Sequence, residues 1–277
     1  MINRKYFVNE VYFEKIDTEE KAYILGILFA DGHNNISNSI VSIGLMDREH
    51  VEKIRDIFYP LKDRPLYISK LSKKNENWSD SFRLTICCKR ISECLLKLGM
   101  KSNKSFDISI PDTLTKSELV SHFIRGYFDG DGYFSEYKKS NDCVLAMTGN
   151  KIMLTQIQSI LCEKCGVKKT KFSSTSSSEK GIFKLHYGGI KNTHKIYEFL
   201  YRNATISLDR KRQKIENYYE KYKERLNRKK SSKYKNVCFD KDRNKWSTKN
   251  IFTGKQKRFA CEYDAYSYSI TNPETTI

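Results

Sequence analysis

The chain has 277 residues, with 51 Lys and Arg against 33 Asp and Glu; the resulting charge of +18 attracts polyanions and makes nucleic acid the first partner to consider. Its 39% hydrophobic content suffices for a real core in one or two domains, and no apolar run approaches the length of a membrane-spanning helix. The N-terminus, with Arg4 and Lys5 followed by Glu10 and Glu14, lacks both the apolar stretch of a secretion signal and the acid-poor bias of a transit peptide, so a cytoplasmic product is expected, or an organellar-matrix one if organelle-encoded.

Glu19 and Glu20 open the first helix, with Asp17 or Thr18 as its N-cap, and the apolar spacing carries it to Ala30. Residues 35–45 alternate as a hairpin strand pair. Residues 47–58 have helical spacing, with Val51, Ile54, Ile57 and Phe58 on one side. Residues 65–73 and 78–89 read as a second strand pair, and 90–98 as a helix stopped by Gly99. The same order then repeats, with a helix over 116–130, strands near 133–137 and 143–148, and a helix over 151–165 ended by Gly166. Strands follow at 168–173 and 182–187 around the polar tip 173–178, then a helix over 192–201. Each half therefore reads α-β-β-α-β-β-α, and the whole predicts an α+β fold paired about a pseudo-twofold axis. The expected domains are residues 1–112, 113–210, a basic helical linker 211–230, and a tail 231–277.

Two stretches organise the repeat: Ile24-Leu25-Gly26-Ile27-Leu28-Phe29-Ala30-Asp31-Gly32 and Ile124-Arg125-Gly126-Tyr127-Phe128-Asp129-Gly130-Asp131-Gly132. In each, two small residues four apart fall on one helical face, Gly26 with Ala30 and Gly126 with Gly130, which lets two helix axes approach closely. Gly32 and Gly132 suit a left-handed helix stop, leaving Asp31 and Asp131 projecting from the helix ends. Paired carboxylates at the negative ends of two helices are costly unless divalent cations neutralise them, which points to a metal site. That site exists only if the two tips converge and no basic side chain caps the acids. The eight cysteines show no framework: Cys87 and Cys88 lie in a strand pattern, and Cys162 with Cys165 in a helix, so reduced thiols are expected rather than a zinc site.

These paired motifs resemble those of the LAGLIDADG homing endonucleases in their single-chain, two-motif form, over roughly residues 15–215. Phe29 stands where that family often has its earlier acid; the second copy keeps it as Asp129. The resemblance implies Mg2+-dependent hydrolysis of one phosphodiester in each strand across the minor groove of a double-stranded DNA target, leaving 3′ overhangs. Mn2+ would substitute for Mg2+, and Ca2+ would support binding without cleavage. Asp31 and Asp131 would hold metal, with the backbone carbonyls of Ala30 and Gly130 as further oxygens. Asp47 and Asn150 would orient water, although each also begins a helix and reads equally well as a cap. Lys211 and, by weaker local match, Lys104 would polarise the site. A monomer is implied. Intron RNA is the alternative partner if the chain is a maturase, and a catalytically inactive DNA-binding regulator is a third possibility on the same fold. The starting Met and the lack of a terminal His-Asn argue for a free-standing or intron-encoded gene rather than an intein.

The exposed faces of the two antiparallel sheets would meet DNA, with Ser37, Ser39, Lys70, Lys73, Arg83, Glu136, Lys138, Lys169, Lys171, Lys184 and His186 as candidates. Residues 201–260 hold 20 Lys and Arg against 6 Asp and Glu, which concentrates most of the net charge near the C-terminus and marks a separate nucleic-acid contact. Residues 210–230 read as a helix that closes the second half and becomes a basic linker. Beyond it, three short strands and a helix at 262–270 resemble an Apetala-type DNA-binding domain through Tyr234, Val237, Lys245, Trp246, Gly254 and Lys255. Lys235, Arg243, Lys245, Lys255 and Lys257 are its candidate contacts.

Overall fold

Helix α1 (Glu19–Asp31) starts where the Thr18 hydroxyl accepts the Lys21 N–H at 3.3 Å, with Glu19 and Glu20 in the first turn against the positive end of the helix. The computed structural model describes residues 6–61, 64–69, 80–101, 107–137, 141–175, 177, 179, 181–227, 232, 234–240 and 243–272. The chain divides into two compact units, Met1–Lys221 and Tyr222–Ile277.

In the first unit, α1 runs directly into β1 (Gly32–Asn35) and β2 (Ile40–Leu45), followed by α2 (Arg48–Phe58), β3 (Tyr67–Ser69), β4 (Ser81–Cys87) and α3 (Lys89–Lys97). A short turn of helix, α4 (Asp112–Thr115), precedes α5 (Val120–Asp131), β5 (Gly132–Tyr137), β6 (Asp142–Asn150), α6 (Lys151–Cys165), β7 (Ser173–Ser174), β8 (Ile182–Gly188), α7 (Ile190–Tyr201) and α8 (Asp209–Lys221). The two antiparallel sheets have the same connectivity, β1-β2-β4-β3 and β5-β6-β8-β7. Val41, Ile43, Leu84 and Ile86 in the first sheet, and Leu145, Met147, Leu185 and Tyr187 in the second, are buried on the helix side. The opposite face of the first sheet carries half-buried or exposed residues such as Ser42, Arg83 and Thr85, as alternation requires, whereas in the second sheet Val144 and Ala146 are buried on that face as well. The expected α+β duplication is the fold.

The differences from the expected elements have local causes. The helix expected over 116–130 starts only at Val120, because the Ser117 hydroxyl accepts the Leu119 N–H at 3.1 Å and resets the chain before α5; the turn of helix α4 lies wholly ahead of the expected span. The strand expected over 168–173 contracts to Ser173–Ser174, so part of the anticipated polar tip is itself strand. Lys169 and Lys171 are exposed in the irregular segment before it. Gly166 ends α6 in the left-handed region at φ 62°, as expected.

Helix α8 packs on the second half through Ile215, Tyr218 and Tyr219, which are buried against Phe134 and Tyr197. The second unit contains α9 (Lys223–Asn227), β9 (Val237–Asp240), β10 (Lys245–Lys249), β11 (Gln256–Phe259) and α10 (Glu262–Ile270). Its sheet has the order β11-β10-β9, with α10 on the face that carries Val237 and Phe259.

Candidate active site at the crossed helix tips

Helices α1 and α5 pack against each other along their small-residue faces. A β-carbon on Gly26 would collide with the Phe123 carbonyl, and one on Gly126 with the Tyr23 carbonyl, so the two backbones touch reciprocally where only glycine fits. One turn further on, the Ala30 side chain lies against Gly130, and Asp31 Oδ2 stands 2.9 Å from where a Gly130 β-carbon would be. The carboxylate of the first tip is thus against the residue preceding Asp131: the tips converge.

Gly32 and Gly132 are not left-handed stops, as the sequence led us to expect, but extended residues at φ −85° and −101° that begin β1 and β5. Their glycine requirement is steric, since a Gly32 β-carbon would lie 2.6 Å from the Leu28 carbonyl oxygen and a Gly132 β-carbon 2.5 Å from that of Phe128. Each aspartate therefore sits at the junction of a helix and the first strand of its sheet.

Lys211, 8% exposed, reaches this junction from α8 and donates to the carbonyls of Phe128, Asp129 and Gly132 at 2.7, 2.8 and 2.6 Å. These three bonds satisfy carbonyls at the end of α5. Burial pushes its ammonium down to about 8 against the attraction of Asp129, with Asp31 and Asp131 also in electrostatic reach. Tyr127 is pushed well above the ordinary phenol range by burial, and both Asp131 and Asp31 add to the effect. Two separate groups thus feel both carboxylates.

The earlier acid, Asp129, is not part of this pair. It is 2% exposed and accepts from Tyr23 and Tyr201 hydroxyls at 2.9 and 2.5 Å and from the Leu208 N–H at 2.8 Å. Because Tyr23 gives its proton to Asp129, its oxygen accepts from His50 Nε2 at 2.9 Å. Arg125, fully buried, donates to Glu19 at 2.6 Å and to the carbonyls of Leu200 and Ile206 at 2.8 and 3.0 Å. These contacts fix α5 against α1, α7 and the 204–208 loop. Sequence reasoning overlooked them, although an Arg in the middle of an apolar helix is itself a signal of a buried partner.

The other predicted site residues separate into groups. Asp47 caps α2 by accepting the His50 N–H at 3.1 Å and pairs with Arg210 at 3.5 Å. Asn150 is buried, caps α6 through the Met153 N–H at 2.9 Å, and donates to the Ile108 carbonyl at 3.0 Å, so both ends of its amide serve the backbone. Lys104, Lys70, Lys73 and Lys138 lie outside the described residues. Arg83, Lys184 and His186 stand on the open sheet faces by register, with His33, Tyr67 and Tyr133 as further members that the sequence reading passed over. Three candidates are corrected. Ser37 and Ser39 belong to the β1–β2 turn, Ser39 at φ 53°, and Glu136 faces α8, where Lys221 donates to it at 3.0 Å. In the second unit Lys245 lies on the face opposite α10, with Lys249 and Arg258 beside it by register, whereas Lys257 lies over the Tyr268 ring on the helix side. Lys235, Arg243 and Lys255 are exposed outside the strands, and Arg243 pairs with Asp240 at 3.4 Å.

A cavity of about 220 Å³ adjoins the tips, lined by Phe29, Ala30, Tyr127, Asp131 and Thr148 among others. The donors at the tips are two carboxylates and main-chain carbonyls, all hard oxygens. Among the described residues no cluster of three or more His, Cys, Asp or Glu side chains is present. Such a set would fit a hard divalent cation such as Mg2+, held by Asp31 and Asp131; it does not fit a closed zinc centre.

Residues 118–201 match the family model of the LAGLIDADG-like domain. That LAGLIDADG-like stretch contains α5, with Asp129 and Asp131, and extends through α7. The chain is similar in fold to the homing endonuclease I-WcaI bound to its DNA recognition sequence, at TM-score 0.52 and 14% identity over 78% of this chain and 94% of that one. It also resembles full-length DUF199/WhiA from Thermotoga maritima, at TM-score 0.48 and 14% identity over 79% of this chain and 67% of that one. Among curated proteins, the replication factor C small subunit of Methanocaldococcus jannaschii is 24% identical over 208 residues, 74% of this chain. The chain spans about a tenth of that relative's length. The architecture of the first unit is the LAGLIDADG fold, α+β with two antiparallel sheets, and no described helix is long and apolar enough to cross a membrane.

Proposed function

We propose that the first unit is a metal-dependent, site-specific endonuclease that hydrolyses one phosphodiester in each strand of a DNA duplex across the minor groove, leaving 3′ overhangs. The observation that carries this reading is the convergence of Asp31 and Asp131 at the crossed tips of α1 and α5. The charge of +18 and the basic groups on the open sheet faces support a polyanionic partner.

In this reading Asp31 and Asp131 hold divalent cations, most simply Mg2+, with the Ala30 and Gly130 carbonyls as neighbouring oxygens. When bound, the metal supplies neutralisation of the phosphate and acidification of water at neutral pH. Lys211 acts beside the acids rather than on them. By taking three carbonyls at the end of α5 it compensates the negative helix terminus on which Asp131 is mounted, and so fixes the direction of that carboxylate. Asp129 holds the same tip from the interior through Tyr23 and Tyr201. In the second unit, the face of Lys245, Lys249 and Arg258 adds a second duplex contact.

The test is strand cleavage by Asp31→Asn, Asp131→Asn and the double variant on DNA spanning the gene's insertion site, with Mg2+ for cutting and Ca2+ for binding. Each single variant is expected to nick or to lose cleavage while binding in Ca2+ persists. Full cutting by the double variant would remove both acids from the mechanism, whereas an unmodified chain that binds the duplex without cutting it would establish a binding protein on this fold.

A further inference from the structure

The seam between the two halves is close to twofold, and two of its departures from symmetry run in the same direction. A shift of 100 residues maps Gly26 onto Gly126 and Asp31 onto Asp131, and the reciprocal approaches of Gly26 to the Phe123 carbonyl and of Gly126 to the Tyr23 carbonyl show the same mapping in space. Each contact across the seam can therefore be set beside its mirror image. Glu19 accepts from Arg125 at 2.6 Å; the mirror positions are Leu119 and Leu25. One helical turn further on, Tyr23 donates to Asp129 at 2.9 Å; the mirror pair is Phe123 with Phe29, whose rings pack edge to face with centres 5.4 Å apart. The difference extends behind the seam. Asp47 and Asn150 cap α2 and α6 alike, each accepting the N–H three residues on, but that residue is His50, against the Tyr23 hydroxyl, in the first half and Met153 in the second.

The second half holds its two polar groups ready by itself. Arg125 donates to the Leu200 and Ile206 carbonyls, and Asp129 accepts from the Tyr201 hydroxyl and the Leu208 N–H. Glu19 and Tyr23 supply what remains. If the second half paired with a second copy of itself, buried Arg125 would stand opposite Leu119 and buried Asp129 opposite Phe123, and a buried charge that loses its partner is costly. Two copies of the first half would set Glu19 opposite Leu25 and the Tyr23 hydroxyl opposite Phe29. All four groups are satisfied only when unlike halves meet. One polar residue in an apolar seam fixes partner and register in coiled coils by the same means, through the penalty on the wrong pairing.

We infer that Glu19–Arg125 and Tyr23–Asp129 form a pairing code, through which the α1 face of the first half accepts the α5 face of the second and refuses a second copy of either half. The inference is independent of the endonuclease reading, since it concerns only how the seam selects its partner.

Two measurements on the full chain test it. Phe29→Asp creates within the intact molecule the mismatch that self-pairing would impose, a carboxylate opposite Phe123, and is expected to lower Tm by about 5 °C more than Phe29→Leu does. Phe123→Tyr alone also lowers Tm, yet added to Phe29→Asp it returns part of the loss, because the second couple is then written at the mirror position. Simple additivity of the two changes would overturn the code. The second measurement uses Glu19→Leu with Tyr23→Phe, which gives the first half the second half's residues at those positions and leaves its self-pairing wholly apolar. Parent, this double variant and Ile91→Ala, a core change in α3 that destabilises without touching the code, are refolded from denaturant at low and high protein concentration and sized by chromatography with light scattering. The double variant is expected to form a larger share of discrete dimer at high concentration than either of the others. A dimer share equal to that of Ile91→Ala would overturn the inference, because the couples would then stabilise the seam without choosing its partner.

Discussion

Glu19 and Arg125 join the first helix of one half to the motif helix of the other, and their environment makes the join pH-dependent. Burial raises the Glu19 carboxyl, but the Thr205 N–H and hydroxyl together with Arg125 outweigh it and hold the group below its ordinary value of 4.5. The unfolded chain therefore takes up this proton first, so the contribution is complete above the ordinary carboxyl range and is lost as pH falls through the depressed folded value. Glu19→Gln is expected to cost about 3 kcal/mol near neutrality because it strands a buried guanidinium. Denaturation of parent and variant should show that gap closing below about pH 4.5, and a gap independent of pH would mean that the pair carries no linkage. At this scale the sequence showed the acids but not their allegiances. Asp31 and Asp131 were legible because each ends a patterned helix. Asp129 was not, since its partners Tyr23, Tyr201 and Leu208 are brought to it by long-range packing that no local spacing records.

The crossing of α1 and α5 depends on two hydrogen-only positions. Gly26→Ala or Gly126→Ala drives a methyl group into a facing carbonyl and should cost about 3 kcal/mol or more, because two packed backbones cannot yield as a side chain can. Gly188→Ala is the control: its β-carbon would be 3.9 Å from the Cys143 carbonyl oxygen, ordinary contact, and the change should stay within about 0.5 kcal/mol. Comparable denaturation midpoints for the three variants would show that the crossing tolerates wider spacing. This contact could be read in advance because small residues at i and i+4 have one structural use on a helix. The short β7 could not. Lys168 to Phe172 alternate like a strand, but β8 offers pairing only to Ser173 and Ser174, and register is decided by the partner strand. Gly32 and Gly132 were recognised as necessary for the wrong reason, since a glycine needed for clearance and one needed for a left-handed backbone are spelled alike.

The second unit offers the clearest test of how the whole chain would engage the proposed duplex. Deleting residues 231–277 is expected to weaken duplex binding and flatten its salt dependence, because phosphate contacts are removed together with the basic surface. Cleavage at high protein concentration is expected to continue, and an unchanged affinity and slope would make the tail irrelevant to DNA. The site itself is made by one polypeptide, with each half contributing one aspartate. This frees the halves to diverge, and they have done so: Phe29 and Asp129 occupy corresponding places with opposite chemistry, while Gly44 faces Arg83 where Thr148 faces Lys184. In the proposed endonuclease, a site built this way has no obligation to palindromes.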